Sequence, residues 1–343
     1  MPSAAATPHA DQQVGALVAQ SCAAVEKRVA ATLASDLPPV QSLCKHLEQY
    51  HGKMVRPALV FLAGMATQGG SRDRPHVSDA LITLASVCEM VHLATLVHDD
   101  VLDEADIRRK TQTVNRLTGN EAAVILGDYV FSAAFALCST LGDPGTSETI
   151  GRTGMTLCAG ELVQLHNRKN LSLDEPTYFE LVKRKTASLI SVSASLGCRH
   201  AGGSDELQAR FGAFAEKLGI AFQIQDDLLD IAGDQRVVGK SLGKDMAKGK
   251  LTLPVIHHLT AASAAVRGRT LLLLDGHGDD GDRPEVDGAA LVSALNSTGS
   301  IEHARATARA FIAQAKDDLS NLPESGAKHL LLTMADAVVD RAR

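Results

Sequence analysis

The chain is predicted to be all-α, one large helical bundle around a central cavity, and three observations carry that reading. Apolar residues recur at helical spacing through ten stretches: 12–34, 55–66, 77–103, 120–141, 147–167, 176–198, 206–230, 252–263, 301–322 and 327–343. Turn-forming residues fall between those stretches. No segment alternates apolar and polar residues for a useful length of strand.

Residues 1–10 read as a disordered tail, and the stretch 12–34 stops before Pro38-Pro39, read as a turn. The stretch 55–66 opens on the basic run Gly52-Lys53-Met54-Val55-Arg56-Pro57 and closes before Gly69-Gly70. Ser78 stands where it can cap 77–103, a helix apolar nearly all round and hence central and buried. Gly142-Asp143-Pro144-Gly145 separates 120–141 from 147–167. Asp174 caps 176–198 just ahead of Glu175-Pro176, and Gly202-Gly203 divides it from 206–230, a second core-type helix. The segment 275–288, rich in Gly, Asp and Pro, reads as an exposed loop without chemistry. No Pro/Gly/Ser linker divides the 343 residues, so residues 1–343 are read as one domain.

Composition narrows the function. With 45% hydrophobic residues there is ample material for a core, and a net charge of −6 argues against nucleic acid as a partner. The six cysteines are widely spaced, with no C-x-x-C pair, and read as buried free thiols in a reducing compartment. The start lacks a basic region followed by an apolar core, and no stretch reaches the ~18 uninterrupted apolar residues of a membrane span. A cytoplasmic protein is expected. Aromatic content is only 3%, which fits either an alanine-rich bias or an interior kept open for a long ligand.

Two copies of one acidic pattern are the most informative feature. Asp99-Asp100-x-x-Asp103 and Asp226-Asp227-x-x-Asp230 each close an apolar helical run. Residues i and i+4 share a helix face, so Asp99 projects with Asp103 and Asp226 with Asp230. Crowded carboxylates repel unless a cation sits among them. Hard oxygen ligands suit Mg²⁺, which keeps waters and shares its shell with substrate phosphate. The pattern therefore points to polyphosphate held through metal ions on two facing helices.

Phosphate bridged by metal still carries charge that cations should meet. Lys53 and Arg56 lie three apart at a helix start, where backbone N–H groups also favour anions. Arg108-Arg109 follows the first acidic motif within about two turns. Lys183-Arg184-Lys185-Thr186 sits inside a helix, and a glycine-lysine loop from Gly239-Lys240 to Lys250 follows the second motif. His92 lies seven residues before Asp99, on the same face, and Gln223 three before Asp226.

The ordered stretches Gly52–Pro57, Asp99–Asp103, Arg108-Arg109, Gly127-Asp128, Gly160–Gln164, Lys185-Thr186, Phe222–Asp230, Gly239-Lys240 and Gly249–Pro254 resemble the trans-isoprenyl diphosphate synthases, the polyprenyl synthetase family. The likeness is strong over roughly residues 50 to 255 and looser beyond. It implies an isoprenoid-synthase fold, a homodimer, and a prenyltransferase that lengthens an allylic diphosphate with isopentenyl diphosphate. It further implies that Asp99, Asp100, Asp103 and Asp226 hold three Mg²⁺, with Asp227 and Asp230 acting through water. Arg108, Lys185 and Lys240 would contact the allylic diphosphate, and Lys53, Arg56, His92 and Arg109 the isopentenyl diphosphate, with Lys250 a further substrate-binding cation. Thr186 and Gln223 would face the allylic carbon. Two departures stand near the phosphates: His51 replaces the first Gly of the usual GGK, and Lys110 and Gln112 stand where Gly and Pro often follow the Arg pair.

For product length, the tail should run down the face below Asp99, one helical turn being ~5.4 Å, comparable with one prenyl unit. Ala94 and Thr95 are small where short-chain members often carry Phe or Tyr, and Val91 lies one turn further. Phe135, in Ser132-Ala133-Ala134-Phe135, could be a deeper floor, and that stretch resembles octaprenyl-type members. The expectation is an all-trans product of about eight units, with an apolar tail that favours peripheral membrane contact; a geranylgeranyl synthase is the alternative. A class I terpene cyclase would lack the DDxxD form of the second motif, and a non-catalytic subunit would have degraded motifs.

Overall fold

The computed structural model describes residues 8–50, 52–69, 76–232, 249–275 and 288–340. Residues 239–248 of the glycine-lysine loop with Lys240, His51, residues 1–7 of the expected tail and residues 276–287 of the expected loop lie outside the described residues. Fifteen α-helices are described, and they bear out the all-α prediction. They are α1 (Pro8–Thr32), α2 (Pro38–Leu47), α3 (Val55–Thr67), α4 (Asp79–Leu102), α5 (Val114–Thr118), α6 (Asn120–Ser139), α7 (Pro144–His166) and α8 (Glu175–Val182). After a π-helical turn (Lys183–Ala187) come α9 (Ser188–His200), α10 (Asp205–Ala232), α11 (Leu253–Ala261), α12 (Ala264–Asp275), α13 (Gly288–Ser297), α14 (Ser300–Asp318) and α15 (Gly326–Asp340).

Local chemistry explains the helix ends. Ser78 accepts a hydrogen bond from the Leu81 N–H and Asp174 one from the Thr177 N–H, so both expected caps are formed. Pro38-Pro39, expected as a turn, instead opens α2, because proline lacks the N–H that a first helical turn leaves unpaired. The stretch 176–198 is broken at Lys183–Ala187, where the helix widens to π geometry. One short antiparallel hairpin was not anticipated: β1 (Ile107–Arg108) pairs with β2 (Thr111–Gln112).

The described chain falls into two compact units. The first comprises Met1–Met155, Leu189–Ala215 and Asp318–Thr333; the second comprises Thr156–Ser188, Glu216–Asp317 and Met334–Arg343. In the first unit α4 is the central element, packed by α1, α3, α5 and α6, and Leu84, Cys88, Val91 and Ala94 along it are buried. In the second, α11 packs on α8, α12 and α13. Four of the six free cysteines are buried, as expected; Cys22 is half-buried and Cys158 exposed.

Glycine sets the closest helix approach. A Cβ on Gly197 of α9 would lie 2.4 Å from the Val60 carbonyl oxygen of α3, backbone against backbone. Gly197→Ala is therefore expected to destabilise the protein by ~1–3 kcal/mol through overpacking. Gly15, on α1 with nothing within 4 Å of its would-be Cβ, should accept alanine at a gain of ~1 kcal/mol in helix propensity. Urea unfolding of the two variants checks the contrast, and equal midpoints would contradict it.

Candidate active site

Each unit carries one acidic motif at the C-terminal end of a core helix. In α4, Asp99 and Asp103 are half-exposed while Asp100, between them, is buried at 1% exposure. In α10, Asp226 and Asp230 are half-exposed while Asp227 is buried at 4%. The helical repeat accounts for this: i and i+4 share one face and i+1 turns away from it. Helix C-termini carry the negative end of the macrodipole, so carboxylates there are misplaced for stability, and neither helix has a basic residue in its last turn. Such a placement is suited to a divalent cation, and hard carboxylate oxygens are the donor set that Mg²⁺ takes.

The buried aspartates have protein partners. Arg108 of β1 donates from Nε to both Asp100 oxygens, at 2.8 and 3.0 Å, and its Nη2 lies 2.7 Å from Oδ1. Tyr50 is 1% exposed, and its hydroxyl accepts from the Val114 N–H at 3.1 Å. Burial and the Asp100 charge push the Tyr50 pKa well up, which keeps it a donor. Arg109 donates from Nη1 to the Tyr50 carbonyl oxygen. Thr111 donates to the Gln49 side chain at 2.8 Å, which fixes the hairpin on the turn that ends at Tyr50.

Arg109 and Lys110 form the hairpin tip with φ of 48° and 70°. A two-residue turn of this kind favours glycine or asparagine, so the lysine departure noted above places a side chain where the backbone prefers none. Lys110→Gly is expected to stabilise the fold by ~1 kcal/mol. A chemical-denaturation midpoint that falls instead would show that the Lys110 side chain makes up for the strain.

Around this hairpin the predicted cations of the first unit gather. Arg56 on α3 is half-buried; burial lowers its pKa and the buried Glu89 carboxylate opposes that. His92 is held well below its ordinary pKa by burial first and then by the charges of Arg56, Arg108 and Arg109. It is therefore neutral at neutral pH, a donor or acceptor that adds no charge to three guanidiniums. The Arg109 guanidinium lies where a Cβ on Gly52 would be, at 2.2 Å, so Gly52 leaves room for it; Lys53 beside it is exposed. Gly127 serves α4 likewise: its would-be Cβ falls 2.2 Å from the His98 ring, whose Nε2 lies 3.4 Å from Asp128.

In the second unit the π turn presents Lys185 and Thr186. Lys185 forms an ion pair with Glu161 of α7, and Gly160 lets that helix approach, since its would-be Cβ lies 3.1 Å from the Lys185 nitrogen. Thr186 Oγ1 donates to Gln223 Oε1 at 2.9 Å, Gln223 Nε2 donates to Asp227 Oδ1 at 2.8 Å, and the Tyr178 hydroxyl donates to Asp227 Oδ2 at 2.6 Å. Lys250 is half-buried, and its neighbour Gly249, at φ 69°, accepts from the Lys169 N–H at 2.9 Å. Sequence reasoning singled out Thr186 and Gln223 but not Tyr50, Tyr178, Glu89 or the pairing role of Glu161. The sole sequence signal for the tyrosines was their scarcity: a buried hydroxyl needs a partner, and the chain has three tyrosines and no tryptophan.

Of the chain-length positions, Val91 and Ala94 are buried on α4, and the Thr95 hydroxyl donates to the His92 carbonyl at 2.7 Å. Phe135 of α6 pairs with Phe131, ring centroids 5.3 Å apart, and rests 3.5 Å from the would-be Cβ of Gly151 on α7.

An all-α fold with an aspartate-rich end on two core helices, a basic cluster beside one and a lysine turn in the unit of the other, defines an enzyme that handles diphosphates. The chain belongs to the polyprenyl synthetase family, which it matches over residues 38–282. It is similar to the octaprenyl diphosphate synthase of Escherichia coli (strain K12), 32% identical over 334 residues, 97% of this chain and 99% of that one. It is also similar to the short chain isoprenyl diphosphate synthase of Methanothermobacter thermautotrophicus, 33% identical over 313 residues, 90% of this chain and 92% of that one. Among solved structures it resembles the polyprenyl synthase from Caulobacter crescentus CB15 complexed with calcium and isoprenyl diphosphate, with a TM-score of 0.86, 26% identity and coverage of 100% of both chains. The chain is thus a prenyltransferase, a polyprenyl diphosphate synthase.

Proposed function

We propose that the protein condenses isopentenyl diphosphate repeatedly with an allylic diphosphate and releases a long all-trans product, about eight prenyl units by its resemblance to octaprenyl-type members, with a tail that runs along α4 at roughly one unit per turn. The observation that carries the reading is the pair of acidic helix ends, each with two half-exposed carboxylates where the helix dipole disfavours them. Asp99 and Asp103, with Asp226 and Asp230, would hold Mg²⁺, three ions in all by family expectation. When bound, Mg²⁺ neutralises charge that builds on the departing diphosphate.

The chain's own groups do the rest. Arg108, Lys185 and Lys240 hold the allylic diphosphate; Lys53, Arg56, Arg109 and neutral His92 hold the isopentenyl diphosphate, with Lys250 a further cation. A preformed guanidinium cluster costs no reorganisation when the negative charge shifts. Thr186 and Gln223 turn oxygen toward the allylic carbon as positive charge develops there. Binding both substrates at once makes attack by the alkene effectively intramolecular, and the proton lost goes to the released diphosphate. Apolar walls exclude water, which would otherwise trap the cation.

Product length follows from what lines α4. Ala94 is small, and Thr95 turns its hydroxyl back on its own helix, so neither blocks a growing tail. Phe135 is the proposed floor. A homodimer is proposed on the face of α6, which exposes Val124, Ile125 and Tyr129; α6 is apolar enough to span a membrane by length and composition, yet only 33% of its most apolar window is buried. The free cysteines suit the cytoplasm, with peripheral membrane contact for product release.

Metal removal tests the reading. Chelation should abolish condensation of isopentenyl and farnesyl diphosphates, and added Mg²⁺ should restore it. Full activity in chelator would contradict the proposal.

A further inference from the structure

We propose that Tyr178 is a positioning residue for the condensation, anchoring the second aspartate of its acidic motif so that this carboxylate fixes a substrate-facing side chain. This rests on the functional reading above and deepens it. Tyr178, at 4% exposure, and Gln223 meet on Asp227, whereas Tyr129 is 37% exposed on α6.

The chemistry explains why a tyrosine is needed. A buried carboxylate must be met by donors. Arg108 supplies them to Asp100; Tyr178 and Gln223 supply them to Asp227. At Asp227 the effect is one of polarity. An amide side chain can present either end, but a charged Asp227 accepts only from the nitrogen of Gln223. The Gln223 oxygen is then turned to Thr186, which donates to it and keeps lone pairs for its surroundings. The chain Thr186 to Gln223 to Asp227 thus runs with every donor pointing inward, and Tyr178 holds its inner end. Lone pairs on the Thr186 and Gln223 oxygens have the polarity a developing cation requires.

Tyr178→Phe is expected to lower kcat about tenfold, the loss of one hydrogen bond to a charged acceptor, with KM for the allylic diphosphate within about twofold. The double variant Tyr178→Phe/Asp227→Asn should be no slower than the Asp227→Asn variant, because the two residues act as a unit. Tyr129→Phe, on the proposed dimer face, serves only to assign its ¹⁹F resonance. A readout independent of turnover guards against variants that fold poorly. With 3-fluorotyrosine throughout, the wild-type protein should show three ¹⁹F resonances. Mg²⁺ with an unreactive allylic thiolodiphosphate should shift the resonance that vanishes in Tyr178→Phe and leave that of Tyr129. Kinetics of Tyr178→Phe equal to wild type, a double variant slower by the product of the singles, or an unmoved Tyr178 resonance in an enzyme that turns over would each overturn this proposal alone. A wild-type protein that neither binds the allylic analogue nor turns over would overturn it together with the functional reading.

Discussion

Asp99→Asn and Asp226→Asn should each lower kcat by about 10²–10³-fold, the scale seen when one preorganised electrostatic partner of a transition state is lost. The loss should come without loss of fold. Each carboxylate is half-exposed at the negative end of a helix, so removing its charge relieves repulsion with the helix dipole. In metal-free buffer the variants should melt at or above the wild-type temperature. With Mg²⁺ added the order should reverse, because the ion stabilises only the protein that binds it. Steady-state rates with farnesyl diphosphate and melts with and without Mg²⁺ check both halves. An Asp99→Asn enzyme that keeps more than about a tenth of wild-type kcat would contradict the assignment.

Ala94→Phe and Thr95→Phe should shorten the product. Thr95 is one helical turn, ~5.4 Å, from Asp99, and a ring there would meet the tail early, so chains should stop well short of the wild-type length. The two variants separate blocking from damage. Ala94 is 1% exposed, so its replacement also risks overpacking, whereas Thr95 is half-buried and has room to turn. A folded Thr95→Phe protein with the wild-type product distribution would place the tail elsewhere.

What could be read from the sequence was local. The acidic pairs were legible because i and i+4 share a helix face, and α4 and α10 because their apolar residues leave no polar side. The caps at Ser78 and Asp174 obey a three-residue rule. What escaped depends on distance along the chain or on competing local signals. Tyr50 meets Val114 across 64 residues and Tyr178 meets Asp227 across 49, and no periodicity announces such pairs. Pro38-Pro39 carries a turn signal and a helix-start signal at once, and the neighbours decided for the helix. The Arg109-Lys110 tip has neither glycine nor asparagine, so nothing marked it as a hairpin. The π turn at Lys183–Ala187 continues a helical pattern in sequence and differs only in how that pattern closes.

The most direct test is to incubate the purified protein with Mg²⁺, isopentenyl diphosphate and farnesyl diphosphate and to size the products by mass spectrometry. A ladder of all-trans products ending near forty carbons, about eight units as the resemblance to octaprenyl-type members implies, is the expected result. A stop at twenty would keep the reaction but contradict the open face below Asp99, and no condensation at all would contradict the prenyltransferase account itself.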